Sequence, residues 1–337
     1  MNEPQFFSAT SSTQLHQPNF FSPQPPALSP VSSTLHYMFV SYSPGYFVDI
    51  GDVHVFPMRK FPLIYEQLTA EGTLDPARVV EPTLASPDDI LLVHTRDYWT
   101  RLAAGELTAR ELRKLGLPWS PALVRRSQLA VQGTLTAARY ALAEGIAGNI
   151  AGGTHHAFPG HGEGFCVLND VAIAIRVLQR DGDIHRVAIV DCDVHQGNAN
   201  AAIFEGESDV FTFSMHGAGN YPLQKMRSTL DLHLPNGMTD EPYLELLERH
   251  VTQILVEFQP DLVFYLAGVD PYHKDRFGKL ALTLDGLKRR DRLVFELCRA
   301  RSIPVTITLS GGYAIPTEDT VNAHCNTYRA AREVFGD

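Results

Sequence analysis

The chain has 337 residues, 44% of them hydrophobic and 20% charged, and a formal net charge of −10; this suits one large globular α/β domain or two small ones. The acidity argues against a broad phosphate-binding face, and so against direct contact with nucleic acid. No apolar run approaches the roughly 18 residues of a membrane span, and the four scattered cysteines, without a CxxC pair, exclude a structural Cys-zinc site and fit a reducing, cytoplasmic setting.

Residues 1–36 are rich in Ser, Pro, Gln and Asn and have no helical or strand period, so they read as a disordered tail. The first basic residue is Arg59, which speaks against a signal or transit peptide. Met38 opens the first strand-like run, so the segment before it reads equally as a genuine tail or an over-extended start. A helix is predicted around Leu63 to Leu68. Ser86-Pro87-Asp88-Asp89 and Ser120-Pro121 are helix starts, the second launching a long helix to about Gly145. A short strand around Asn149 to Ala151 leads into Gly152-Gly153-Thr154-His155-His156. Strands and helices then alternate: a helix from Asn169-Asp170, a strand from Val187, a strand from Val210 to Ser214 and a helix from Glu241 to Phe258. A strand from Leu262 to Ala267, a helix from Asp285 to Arg301 and a strand from Ile303 to Leu309 complete the series. Such alternation predicts a single-domain α/β fold, a central parallel β-sheet with helices on both faces.

In such sheets ligands gather beyond the carboxyl ends of the strands, and the polar clusters fall there. His155 and His156 follow one strand. Asp191, Asp193 and His195 follow the next at i, i+2 and i+4, a spacing that puts all three side chains on one side if the chain stays extended. Asp270 follows the Leu262 strand, and Gly311-Gly312-Tyr313 the Ile303 strand. Asp193, His195 and Asp270 supply three ligands, the number a catalytic zinc site uses while keeping a position open; such a set accepts iron(II) as well as zinc. Two carboxylates leave the ion a modest electrophile, so help from His155 and His156 is expected. Asp191 and Asn198 are available to orient those rings. Tyr313, presented by two glycines, can donate to an oxyanion.

These motifs lie in an order that resembles the histone deacetylase family: GGTHHAFPGHGEGFCVLND, VDCDVHQGN, LAGVDP with the later DRFGKLALT, and LSGGYA. The likeness runs from about Met38 to the C-terminus, and HQGNAN, FPMRKF and GLPWS are most similar to the class IV-like branch common among bacterial sequences. The resemblance implies the arginase/deacetylase-type fold over residues 37–337 and zinc on Asp193, His195 and Asp270. It implies His155, paired with Asp191, as electrostatic aid, and His156, paired with Asn198, as general base and then general acid. Tyr313 would hold the oxyanion. Phe165 and Tyr221 would wall the lysine channel, with the Gly164 carbonyl near its depth. A structural potassium ion would sit at the backbone around Asp191, Asp193 and His195, with Ser214 and Met215.

Two departures from the class I pattern stand out. Asn198 replaces an aspartate, which should make His156 less basic. The loop Gly116-Leu117-Pro118-Trp119-Ser120 carries no acid to grip a substrate backbone, leaving room for a longer acyl chain along Leu117 and Trp119. The expected activity is metal-dependent hydrolysis of acetyl or longer acyl groups from lysines of a protein or peptide. The alternatives are a small-molecule amidase such as an acetylpolyamine deacetylase, a binuclear manganese hydrolase that would need more Asp and His ligands, and a catalytically silent binder. Nothing in the sequence sets the oligomeric state.

Overall fold

The computed structural model describes residues 38–51 and 53–336; the expected tail lies outside them. Eight strands, β1 (Phe39–Ser41), β2 (Val79–Val80), β3 (Ile146–Asn149), β4 (Val187–Asp191), β5 (Val210–Gly217), β6 (Leu230–Leu234), β7 (Leu262–Gly268) and β8 (Val305–Ser310), form one sheet. Their order is β2-β1-β3-β8-β7-β4-β5-β6, and every pairing is parallel. The residues of β3, β4, β7 and β8 are all buried, as expected for strands covered on both faces.

Among the described residues ten α-helices accompany the sheet: α1 (Lys60–Ala70), α2 (Pro87–Ile90), α3 (Arg96–Ala104), α4 (Ala109–Leu115), α5 (Pro121–Glu144), α6 (Asp170–Asp181), α7 (Asn198–Ile203), α8 (Asp240–Gln253), α9 (Leu284–Arg299) and α10 (Thr317–Phe335). The serine starts act as caps: Ser86 Oγ accepts from the Asp89 N–H at 3.0 Å and Ser120 Oγ from the Leu123 N–H at 3.1 Å. The crossover through α6 runs toward β6, whereas those through α8 and α9 run back toward β2. Right-handed crossovers in opposite directions put their helices on opposite faces. Accordingly α5 packs with α6, and α9 with α8 and α10. Among the described residues no helix is long and apolar enough to cross a membrane.

The topology has one consequence for function. β7 and β8 insert between β3 and β4, so the carboxyl ends of four adjacent strands, β3, β8, β7 and β4, come together. Two local expectations need correction. The strand expected at Asn149 to Ala151 is Ile146–Asn149, because the chain turns into the glycine pair earlier. The chain also leaves the sheet at Asp191, so Asp191, Asp193 and His195 do not share one side of a strand. Glycine at 268 permits this bend, since a Cβ there would come 2.5 Å from the Asp193 Cα.

Candidate active site

The loop after β4 separates its acids. Asp191 turns toward β3, where its Oδ2 accepts from His155 Nδ1 at 2.7 Å. Asp193 turns toward β7 and β8: its Oδ1 accepts from His195 Nδ1 at 2.9 Å and its Oδ2 from Ser310 Oγ at 2.7 Å. Asp270 arrives from β7 and its Oδ1 accepts from the Val194 N–H at 2.8 Å. Asp193, His195 and Asp270 thus offer three ligand atoms within 4.8 Å of one another. Gly311 is what lets β8 close on them, for a Cβ there would stand 2.1 Å from Asp270 Oδ2.

Does this cluster suit a divalent cation? Asp270 Oδ2 is buried and carries no hydrogen bond. His195 Nδ1 lies 3.0 Å away, but its N–H is directed at Asp193 Oδ1 instead. Burial opposes charge on His195, yet Asp270 and Asp193 raise it to about 10, while burial and Asp193 push Asp270 up to about 7. The two carboxylates hold a proton on the His195 imidazole, and an orphaned oxygen completes the set. The donors fit zinc or another divalent metal. A metal must displace that proton and the share that Asp270 holds near its own raised value, so binding near neutral pH is expected to release roughly one to two protons, with affinity rising as pH increases toward the raised value of His195. Calorimetry in buffers of different ionisation enthalpy measures that count.

His155 and His156 are buried with ring centroids 4.1 Å apart. Burial opposes charge on His155, but Asp191 and Asp193 raise it to about 9. Burial, His155 and His195 together push His156 well below the usual imidazole value, against a weaker pull from Asn198. His156 Nδ1 lies 2.6 Å from Asn198 Oδ1, leaving Nε2 as its free nitrogen. Tyr313, only 8% exposed, follows Gly311 and Gly312 at φ 46° and 90°. Its N–H donates to Asp275 Oδ2 at 2.6 Å, and the rings of Phe56, Phe165 and Phe277 surround it.

A cavity of about 470 Å³ reaches His156, His195 and Tyr313 from the surface, with Gly164, Phe165 and Tyr221 in its wall. Tyr221 meets His156 edge-on at 5.2 Å. Phe165 takes a left-handed backbone, φ 67°, its N–H bonded to the Leu115 carbonyl at 2.7 Å; a bulky residue held so is common at functional sites. Leu117 and Trp119 do not line this cavity: Leu117 is buried in the core, and the Trp119 indole donates to the Leu102 carbonyl. Asp191 and Ser214 are register partners across β4 and β5, with Met215 next in line.

Residues 54–328 match the histone deacetylase domain model. The chain belongs to the histone deacetylase family. It is a hydrolase of a metal-dependent family. An uncharacterized protein of Picosynechococcus sp. is 49% identical over 88% of this chain and 99% of its own length. Histone deacetylase 2 of Arabidopsis thaliana is 32% identical over 81% of this chain and 74% of its own. The fold matches the crystal structure of a histone deacetylase homologue complexed with SAHA, with a TM-score of 0.77 and 23% identity, covering 88% of this chain and 84% of that one.

Several residues of this deacetylase-family site carry no obvious sequence signal. Lys60 is buried beside it, its Nζ donating to the Gly311 carbonyl; burial lowers it to about 8, against the pull of Asp270 and Asp193. Arg290 of α9, in a run that reads as a solvated helix face, is fully buried and donates to the carbonyls of Cys192 and Gly268, fixing both ligand loops. Glu163 is buried against Asn198.

Proposed function

We propose that this protein is a zinc-dependent hydrolase of acetyl-lysine in proteins or peptides. The observation that carries this is the convergence of His156, His195 and Tyr313 at the base of one cavity with aromatic walls. A neutral acyl-lysine stem suits Phe165 and Tyr221, which shed water around it. Zinc on Asp193, His195 and Asp270 would supply Lewis acidity toward the acyl carbonyl and an attacking water. His156 Nε2, unprotonated at neutral pH, accepts the proton of that water and then delivers it to the departing amine. The Tyr313 hydroxyl donates to the developing oxyanion, and His155, kept charged by Asp191, adds positive potential. A structural potassium ion at the backbone of Asp191, Asp193 and His195, beside Ser214 and Met215, is part of the same proposal.

Charge at the cavity favours a protein or peptide substrate over a polyamine. Among the described residues Arg113, Lys114 and Lys279 line it and no acidic side chain does, Lys114 being paired with Glu163 behind the wall; a cationic acetylpolyamine would meet repulsion from Arg113 and Lys279. A second cavity that shares His156, Phe165, His195 and Tyr313 with the first holds only about 50 Å³, which favours acetyl over long acyl chains. Hydrolysis of lysine peptides bearing acetyl, trifluoroacetyl, octanoyl or myristoyl groups, and of acetylspermidine, tests this with zinc, iron(II) or chelator present. The expected result is chelator-sensitive turnover, fastest on acetyl-type peptides and poor on acetylspermidine. Zinc-loaded protein inert toward every acyl-lysine would refute the proposal.

A further inference from the structure

We infer that Glu163 is a positioning residue for the general base: acting through the side-chain amide of Asn198, it selects the tautomer of His156. The inference rests on the deacylase reading of the site. Glu163 is 5% exposed, and its two oxygens divide their partners. Oε2 faces outward, 2.6 Å from Lys114 Nζ and 3.2 Å from His161 Nε2. Oε1 faces the site, where it accepts from Asn198 Nδ2 at 3.1 Å and from the Tyr221 hydroxyl. Burial would raise this carboxyl, but His161, Lys114, Tyr221 and Asn198 around it hold it well below the usual carboxylate range.

An ionised carboxylate can only accept hydrogen bonds. Glu163 therefore admits one orientation of the Asn198 amide, with Nδ2 toward Glu163 and Oδ1 toward His156. With Oδ1 at 2.6 Å, His156 Nδ1 must carry a hydrogen, and Nε2 is left as the basic nitrogen that faces the cavity. A neutral asparagine alone could not enforce this, because a flipped amide would present Nδ2 to Nδ1 and put the hydrogen on Nε2, where no proton could be taken up. The negative charge that an aspartate would bring directly to His156 is thus supplied one amide further out. The same carboxylate anchors Tyr221, so the channel wall and the base share one support.

The simpler reading, a rim ion pair of Glu163 with Lys114, predicts no dependence on residue 198. Three variants separate the two: Glu163→Gln, Asn198→Asp and the double replacement. Glu163→Gln keeps the volume and leaves Oε1 able to accept from the Tyr221 hydroxyl, but lets the Asn198 amide flip, so kcat on an acetyl-lysine peptide should fall about 10–100-fold with KM changing much less. Asn198→Asp alone faces one carboxylate with another at 3.1 Å and should also lose kcat. In the double variant the carboxylate introduced by Asn198→Asp fixes the tautomer by itself, so kcat should recover at least about fivefold over Glu163→Gln. A Glu163→Gln enzyme within about twofold of wild type, or a double variant no faster than Glu163→Gln, overturns the inference. Imidazole ¹⁵N spectra of the zinc-loaded wild type give a readout free of turnover and of variant folding. His156 hydrogenated at Nδ1 supports the relay; hydrogenation at Nε2 overturns it. Wild-type protein without turnover would instead count against the deacylase reading, while the same spectra of Glu163→Gln beside the wild type still test Glu163: an Nδ1 hydrogen that is kept in full there overturns its role.

Discussion

Asp270→Asn is expected to abolish turnover and, with it, the rise in thermal stability that zinc gives the wild-type protein. Asp270 is fully buried, and its Oδ1 ties down the Val194 N–H at 2.8 Å. Asparagine keeps that bond and the side-chain volume, so the loop after β4 should hold its shape. What changes is the second oxygen, which has no hydrogen bond in the protein and is crowded by Gly311; an amide N–H₂ there would point at the ion. For the wild type, free zinc at a hundred times Kd stabilises by about 2.7 kcal/mol, or roughly 3–5 °C in a chain of this size. The variant should show no such shift under the same conditions, and its kcat/KM should fall roughly a thousand-fold or more, the several kcal/mol a Lewis acid supplies. A variant that keeps either the shift or the activity would show that Asp270 is not a ligand.

How much of this site the sequence makes legible depends on how local each signal is. The ends of β4, β7 and β8 are readable because buried parallel strands are short β-branched runs, and polar residues stand out where each run stops. Assuming an extended chain from Asp191 to His195 fails for a tertiary reason. Asp191 and Asp193 answer to different neighbours, His155 on one side and Ser310 with His195 on the other, and no spacing rule encodes that division. Edge strands are harder still. β6 is short and has only one buried residue, Leu234, so its Leu-Asp-Leu-His-Leu alternation is the single local signal it offers. Helix α10 is hard to read although its buried residues recur along its length, because Thr, Cys, His and Tyr fill many of them in place of the usual aliphatics. Glu163, Lys60 and Arg290 are charged residues whose burial depends on partners far away in the chain: Asn198, Gly311 and Cys192. Charge alone reads as surface, so only the assembled structure reveals them.

Tyr313→Phe is expected to lower kcat about 10²- to 10³-fold, a loss of about 2.7–4 kcal/mol for one oxyanion donor, while leaving KM nearly unchanged. The ring is held by contacts that phenylalanine keeps, with centroids 5.0 Å from Phe277, 5.9 Å from Phe165 and 6.1 Å from Phe56. The backbone is held by its own bond to Asp275, so the substitution removes a hydroxyl and little else. Ground-state binding of the lysine stem uses the channel walls, which explains why the loss should fall on kcat rather than KM. Burial, reinforced by Asp193 and Asp270, pushes the phenol well above its usual value. A phenol raised by burial stays protonated at neutral pH, so Tyr313 remains a donor and imposes no alkaline limb on kcat through the neutral range. Steady-state kinetics of both proteins across pH check the two claims together. A drop confined to KM, or a wild-type alkaline limb that vanishes in the variant, would place the Tyr313 hydroxyl outside the role of oxyanion donor.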